Sequence, residues 1–193
     1  MAIKAPPSSG RAVGGDAAFV AEVQRRLGQA ANICYQCGKC TAGCPMACEM
    51  DVMPHRVVRL VQLGRRDEAL RCATIWLCAS CETCSSRCPK DFDIARLMDV
   101  LREMSIEAGL AHRSARNIIR FHRSFLNSVR RHGRTFEPEM VLEYKLRSRH
   151  FLQDTLNAVR MAFLGKLRLL PRNVHGRKGI RQIFRASRPE AKP

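Results

Sequence analysis

The amino-acid sequence predicts an all-α protein: a helical domain that carries two cysteine runs, followed by a basic helical extension. Three observations lead to this class. Apolar residues recur at helical spacing before, between and after the cysteine runs. The two runs have one identical spacing. Positive charge is concentrated in the C-terminal part of the chain. Residues 110–193 contain 20 Lys and Arg against 5 Asp and Glu, whereas residues 1–109 contain 14 Lys and Arg against 12 Asp and Glu.

The segment before the first cysteine predicts a tail and one helix. Residues 1–15 are rich in proline, glycine and serine and have no apolar face, so we expect a flexible N-terminal tail. Asp16 is a predicted N-cap, because Phe19, Val23 and Leu27 follow it at helical spacing. This helix leads directly into the first cysteine run.

The spacer between the runs and the segment behind the second run also predict helices. Pro54 suits a first helical turn, and Gly64 suits the residue after the last turn. Asp67 is a predicted cap of a second helix that extends through Trp76, and Asp93 is a predicted cap of a third. Residues 16–110 therefore form one predicted helical domain that carries both cysteine runs.

The basic extension, residues 111–171, predicts two amphipathic helices. An apolar stripe runs from Ile118 to Val129 with arginines mostly on the other side. A second helix is predicted from Pro138 towards Leu170, with an apolar line over Leu152, Leu156, Val159, Phe163, Leu167 and Leu170. Residues 172–193 have few apolar anchors and predict a flexible basic tail.

Both cysteine runs have the form C-x2-C-x2-C-x3-C-P, the spacing with which bacterial ferredoxins bind [4Fe-4S] clusters. In two-cluster ferredoxins the fourth cysteine of each run binds the other cluster. The predicted ligands are therefore Cys34, Cys37, Cys40 and Cys88 for cluster I, and Cys78, Cys81, Cys84 and Cys44 for cluster II. The sequence thus predicts two [4Fe-4S] clusters and electron transfer. Together with the helical spacer, it predicts an α-helical ferredoxin domain over residues 16–110, with helices where a β-type ferredoxin has strands.

Two other cysteine chemistries compete with this interpretation. Structural zinc also takes four thiolates, but zinc ribbons present two C-x2-C pairs separated by a loop of roughly 15 to 20 residues. A disulfide framework requires an oxidising compartment, and no charged segment followed by an apolar one opens the sequence as an export signal. Cys48 and Cys72 lie outside the runs, and each is interpreted as a buried apolar residue, with a reactive thiol as the alternative.

Charged residues near the runs predict which cluster is reduced more easily. Lys39 lies within the first run and favours the more negative, reduced state. In the second run Glu82 opposes reduction, whereas Arg87 and Lys90 assist it. The sequence alone therefore predicts the higher potential at cluster I.

The chain resembles the C subunit of heterodisulfide reductase and its bacterial relatives. The resemblance covers about residues 16–110 and is carried by Cys34 to Pro45, Met53-Pro54, Val57 to Gly64, Ile75 to Cys78 and Cys84 to Pro89. It implies a cytoplasmic complex in which this chain relays single electrons between a flavin-bearing, iron–sulfur A subunit and a B subunit with CCG motifs. It also implies disulfide or sulfane-sulfur chemistry in the B subunit. The CCG motif does not occur in this sequence, so we expect a non-catalytic electron-transfer subunit.

Three kinds of negatively charged partner are candidates for binding the basic extension. We expect it to dock on an acidic partner subunit, with peripheral contact to anionic lipid as the second interpretation. Nucleic acid comes third, because no recognised reading module accompanies the charge. An iron–sulfur redox sensor or nucleic-acid-binding regulator is the alternative function for the whole chain.

Overall fold

The structure, a computed structural model, describes residues 15–148 and 176–187, together with residues 160, 164 and 174. Within these residues all regular elements are helical, with short 3-10 turns and no strand, so the predicted all-α class is confirmed. The chain divides into two compact units, Met1–Ala115 and Arg116–Pro193. None of the described helices is both long and apolar enough to cross a membrane.

The first unit contains seven helices among its described residues: α1 Ala17–Leu27, α2 Lys39–Ala42, α3 Pro54–Gln62, α4 Arg66–Arg71, α5 Thr74–Leu77, α6 Thr83–Ser86 and α7 Ile94–Glu107. The predicted caps of α1 and α7 are confirmed, because Asp16 accepts a hydrogen bond from Phe19 N and Asp93 accepts one from Arg96 N. Gly64 follows α3 with φ 63°, a conformation that favours glycine.

The core of this unit lies between α1, α3, α4, α5 and α7, whose apolar faces are fully buried. It includes Phe19, Val23, Leu27, Val57, Val58, Val61, Leu70, Ile75, Leu97, Met98 and Leu101. The small helices α2 and α6, which carry cysteines, pack against each other and against α3 and α7 respectively. The long helices therefore form the scaffold that supports both cysteine runs.

The single helix predicted from Asp67 through Trp76 is wrong. The structure has two helices there, and Arg65 rather than Asp67 is the N-cap of α4. The break falls at Cys72 and Ala73, because the backbone N–H groups of Ala73 and Thr74 donate to the carboxylate of Asp51, at 2.8 and 2.9 Å. A residue far away in sequence thus ends one helix and begins the next.

The second unit contains α8 Ala115–His132 over most of its length, α9 Glu137–Ser148 and α10 Arg177–Ala186. Helices α8 and α9 are joined by a tight turn in which Phe136 N donates to Ser128 Oγ at 2.8 Å. The rings of Phe121 and Tyr144 pack edge to face between these helices at 5.8 Å. The predicted helix behind Pro138 thus begins at Glu137. Its apolar line from Leu152 to Leu170 lies outside the described residues, as do residues 1–14 of the tail predicted over residues 1–15.

Helix α10 occupies a segment that the sequence pattern predicts to be a flexible tail. Its apolar residues Ile180, Ile183 and Phe184 share one face at helical spacing. Ile180 packs against the turn at Gly133, and Val174 N donates to His132 O at 3.1 Å. These contacts with the end of α8 supply the anchors that the local sequence pattern did not reveal.

Candidate functional site

The two cysteine runs fold in the same way, residue by residue. Gln36 and its counterpart Ser80, 44 positions later, both have a positive φ, at 64° and 48°. Gly38 and its counterpart Glu82 follow with φ 77° and 58°, and each is the N-cap of a one-turn helix that holds the third cysteine. The sequence repeat is therefore a repeat of backbone conformation, although Glu82 adopts a conformation that glycine adopts more easily.

The fourth cysteine of the first run lies with the first three cysteines of the second. Cys44, Cys78, Cys81 and Cys84 together line one pocket in the first unit. The remaining lining is mostly apolar, from Pro45, Met46, Met50, Pro54, Ala79, Thr83, Ile94, Ala95 and Met98. Four thiols that converge on an apolar recess fit the thiolate ligation of a [4Fe-4S] cluster.

Tyr35 lies close enough to cysteines of both runs for their charges to act on its hydroxyl group. The Tyr35 hydroxyl is the common neighbour: its pKa is raised by partial desolvation, by a hydrogen bond with Cys37, and by the charges of Cys37, Cys88 and Cys34. Gln36 Nε2 also donates to Cys34 Sγ at 3.5 Å. Cysteines of both runs thus influence one exposed phenol, and the crossed ligand set Cys34, Cys37, Cys40 and Cys88 stays a prediction.

The third cysteine of each run is shielded from water to a different degree: Cys40 is buried and Cys84 is half-buried. Burial raises the pKa of the Cys40 thiol, and the nearby charges of Cys34 and Cys84 act in the same direction. Burial likewise raises the pKa of the Cys84 thiol. Cys81 is exposed, and its hydrogen bond with Thr83 lowers its pKa. The Cys40 thiol is therefore shielded from solvent, whereas the Cys81 thiol is open to it.

The side chain of Arg87, from the second run, lies across Gly43 of the first. A Cβ atom at Gly43 would come within 2.6 Å of Arg87 Nη1 and 2.7 Å of Arg87 Cδ. Arg87 was predicted to act at its own run, but its side chain packs on the first. The guanidinium lies near the C-terminal end of α2, where carbonyl groups favour a positive charge.

Two supporting residues were not predicted from the sequence. Gln62, on α3, donates from Nε2 to Ala31 O and to Cys34 O, both at 2.8 Å. Arg102, on α7, donates from Nε to Ile75 O and from Nη2 to Cys78 O. Each side chain fixes the backbone at the first cysteine of one run. The 44-residue repeat does not reveal the pair, because Gln62 and Arg102 are 40 positions apart.

The two cysteines outside the runs have different surroundings. Cys72 is buried, as expected; its thiol donates to Ala69 O at 3.3 Å, and burial raises its pKa to about 12. Cys48 is exposed, so its interpretation as a buried apolar residue is wrong. It belongs to the short 3-10 turn Ala47–Glu49, in which no residue is buried.

Labelling of the folded, cluster-loaded protein is expected to separate these two thiols. Iodoacetamide at about pH 7.5 should modify Cys48 and leave Cys72 unmodified, because only an accessible thiolate reacts. Mass spectrometry of the digested protein measures both sites. Unfolded protein is the control, in which both become labelled; rapid labelling of Cys72 in the folded protein would contradict its buried position.

Comparison with known proteins agrees with this geometry. Residues 33–93 match the model of a 4Fe-4S dicluster domain. The chain is 40% identical over 92 residues to an iron-sulfur C subunit of the CoB–CoM heterodisulfide reductase of Methanocaldococcus jannaschii, covering 46% of this chain and 49% of that protein. It is 32% identical over 88 residues to the iron-sulfur C subunit of the same reductase from Methanopyrus kandleri, covering 46% of each.

A third relative extends the comparison. The chain is 27% identical over 107 residues to the C subunit of the H(2):CoB-CoM heterodisulfide,ferredoxin reductase of Methanothermobacter marburgensis, covering 54% of this chain and 58% of that protein. The chain thus spans about half the length of the curated relatives it matches. The resemblance to heterodisulfide reductase C subunits is confirmed, and the dicluster domain with its ten cysteines supports two [4Fe-4S] clusters rather than zinc. These findings support an iron–sulfur electron-transfer role.

Proposed function

We propose that this chain is the electron-relay subunit of a heterodisulfide-reductase-like complex, between a flavin-bearing A-type subunit and a CCG-type B subunit. The observation that carries the proposal is the pocket lined by Cys44, Cys78, Cys81 and Cys84, in which both runs meet. This set is the proposed cluster II site, and Cys34, Cys37, Cys40 and Cys88 are the proposed cluster I site. Disulfide or sulfane-sulfur chemistry belongs to the B-type partner.

The chain around the thiols contributes to such a relay in two ways, through side chains that cover one site and through the packing of two helices. When bound, a [4Fe-4S] group supplies one-electron redox chemistry without a change of ligands. Met46, Met50 and Met98 cover the second site and exclude water. The contact between α2 and α6 brings the two proposed sites side by side, since the Cys40 thiol responds to the charge of Cys84. Such proximity supports electron transfer between the two sites within one chain.

Anaerobic purification of the tagged chain from its own cells tests the relay. We expect it to co-purify with a flavoprotein and with a CCG-motif protein, and dithionite-reduced material should give the EPR signals of two [4Fe-4S] clusters. Recovery of the cluster-loaded chain without either partner would contradict the proposal. Salt-sensitive DNA binding that changes with cluster oxidation would favour the regulatory alternative.

The docking surface that we propose lies on α8 and α9 in the second unit. Its apolar residues are between 40% and 60% exposed: Phe121, Phe125, Leu126, Val141, Leu142 and Leu146. Arginines accompany them, and Arg123, Arg130 and Arg147 line a recess that also includes Leu126 and Phe184. The excess of 15 positive charges in residues 110–193, from 20 Lys and Arg against 5 Asp and Glu, favours an acidic partner subunit as the occupant.

Replacing two leucines of the docking surface by glutamate is expected to weaken assembly. The double variant Leu142→Glu, Leu146→Glu should lose at least roughly tenfold in affinity for the partner subunit, because apolar contact is replaced by like charge. The matched control is Leu63→Glu, an exposed leucine of the first unit. Calorimetry with the purified partner measures both. Unchanged affinity would contradict docking here, and loss of binding to anionic vesicles instead would identify lipid as the occupant.

A further inference from the structure

Gln62 and Arg102 occupy equivalent places in the two halves of the first unit. Gln62 is the ninth residue of α3, and Arg102 is the ninth residue of α7. The carbonyls that accept from Arg102, those of Ile75 and Cys78, lie 44 positions after the carbonyls of Ala31 and Cys34 that accept from Gln62. The two side chains therefore make the same pair of hydrogen bonds to the same two backbone positions.

The two equivalent side chains differ in charge. The amide of Gln62 is neutral, whereas the guanidinium of Arg102 is positive at any pH at which the protein folds. Arg102 is only 23% exposed, so solvent screens its charge incompletely. Its Nη1 pairs with Asp99 Oδ1 at 2.7 Å, but Asp99 is 54% exposed, so solvent screens the charge of this carboxylate more than that of the guanidinium. The carboxylate therefore offsets the positive charge only in part.

Four charged residues in or beside the cysteine runs can be identified from the sequence alone, and all four are more accessible to solvent than Arg102. Lys39 in the first run and Glu82 in the second are both exposed, and so are Arg87 and Lys90. Exposed charges act through water and salt, and their effect on a neighbouring site is correspondingly small. Arg102 is the better shielded charge and touches the backbone of a proposed ligand, Cys78. Its effect should therefore exceed those of Lys39 and Glu82.

We propose that Arg102 raises the reduction potential of the site formed by Cys44, Cys78, Cys81 and Cys84 above that of the other site. A nearby positive charge stabilises the more negative, reduced state. The order is the reverse of the one that the sequence alone predicts. It gives the relay a direction inside the chain, with electrons running downhill from the Cys34 site to the Cys78 site. The inference rests on the proposed function and its cysteine sets.

The test is an EPR-monitored redox titration of the full-length, cluster-loaded Arg102→Gln variant, which makes the second half resemble the first. We expect the higher of the two midpoint potentials to fall while the lower one stays, with the reduction equilibrium constant falling roughly tenfold, about 59 mV for one electron. Arg102→Lys, which keeps the charge, should restore most of the loss. Arg71→Gln, which removes an exposed arginine from α4, is the matched control and should leave both potentials unchanged.

Two outcomes would overturn the inference. An unchanged gap between the potentials would mean that Arg102 does not tune either site, and a wider gap would mean that the Cys78 site is the lower one. If Arg102→Gln fails to hold both clusters, Asp99→Asn gives the answer, because it leaves the guanidinium in place and should raise the higher potential alone. A separate experiment tests the proposed cysteine sets. Those sets are wrong if single cysteine variants within one set lose different EPR signals.

Discussion

The Cys44→Ala variant is expected to lose the cluster site of the second cysteine run, although Cys44 belongs to the first. The reason is that Cys44 lines one pocket with Cys78, Cys81 and Cys84, so its removal leaves three thiols for four ligand positions. Anaerobically reconstituted protein should retain about four of about eight irons per chain, and one of its two EPR signals should disappear on reduction with dithionite.

Comparison of single cysteine variants makes this test decisive. Cys81→Ala should lose the same EPR signal as Cys44→Ala, whereas Cys37→Ala and Cys88→Ala should lose the other one. Cys48→Ala is the matched control, since its thiol is exposed and outside both runs, and it should keep both signals. If Cys44→Ala and Cys37→Ala lose the same signal, each run binds its own cluster and the crossed ligand sets are wrong.

The Asp51→Ala variant is expected to be strongly destabilising, although Asp51 lies outside the apolar core. The carboxylate accepts hydrogen bonds from Ala73 N, Thr74 N and the Thr74 hydroxyl, at 2.8, 2.9 and 2.7 Å. Ala73 and Thr74 are fully buried, so no water replaces the lost acceptor. We expect a loss of about 2–4 kcal/mol in the free energy of unfolding. Thermal unfolding followed by circular dichroism should show a midpoint lower by on the order of 10 °C.

Asp67→Ala is the matched control for Asp51→Ala. Its carboxylate lies in the first turn of α4 and is 68% exposed, so its removal should cost less than about 1 kcal/mol. Asp51→Asn should fall between the two, because the amide keeps one acceptor oxygen. A midpoint for Asp51→Ala within a few degrees of the unchanged protein would show that the connection between the two cysteine runs does not depend on this carboxylate.

The helices that were predicted well are those whose signals lie within one or two turns. Asp16 and Asp93 cap α1 and α7 because their carboxylates reach a backbone N–H three residues ahead. Pro54 begins α3, and Gly64 follows it, through conformational preferences that each residue has on its own. Such local effects can be identified in a single sequence.

The errors arose where distant residues act on the backbone. The sequence around Asp67 is typical of a helix N-cap. The Asp51 carboxylate, however, accepts hydrogen bonds from Ala73 N and Thr74 N, and the predicted helix is therefore divided in two. Helix α10 was expected to be a flexible tail, because its contacts with Gly133 and His132 lie some 45 positions away along the chain. Cys48 and Cys72 both lie outside the repeated spacing, yet one is exposed and the other buried.

Residue types and their spacing were enough to predict the helical class, the repeat of the two cysteine runs and two [4Fe-4S] clusters, because they decide which ligands a short loop can present. Only the tertiary structure shows which charged side chain lies beside which cysteine run. Gln62 and Arg102 reach the first cysteines from helices about 25 to 30 residues away, and Arg87 crosses to Gly43. The electrostatic difference between the two sites depends on distances in space, which the order of residues does not specify.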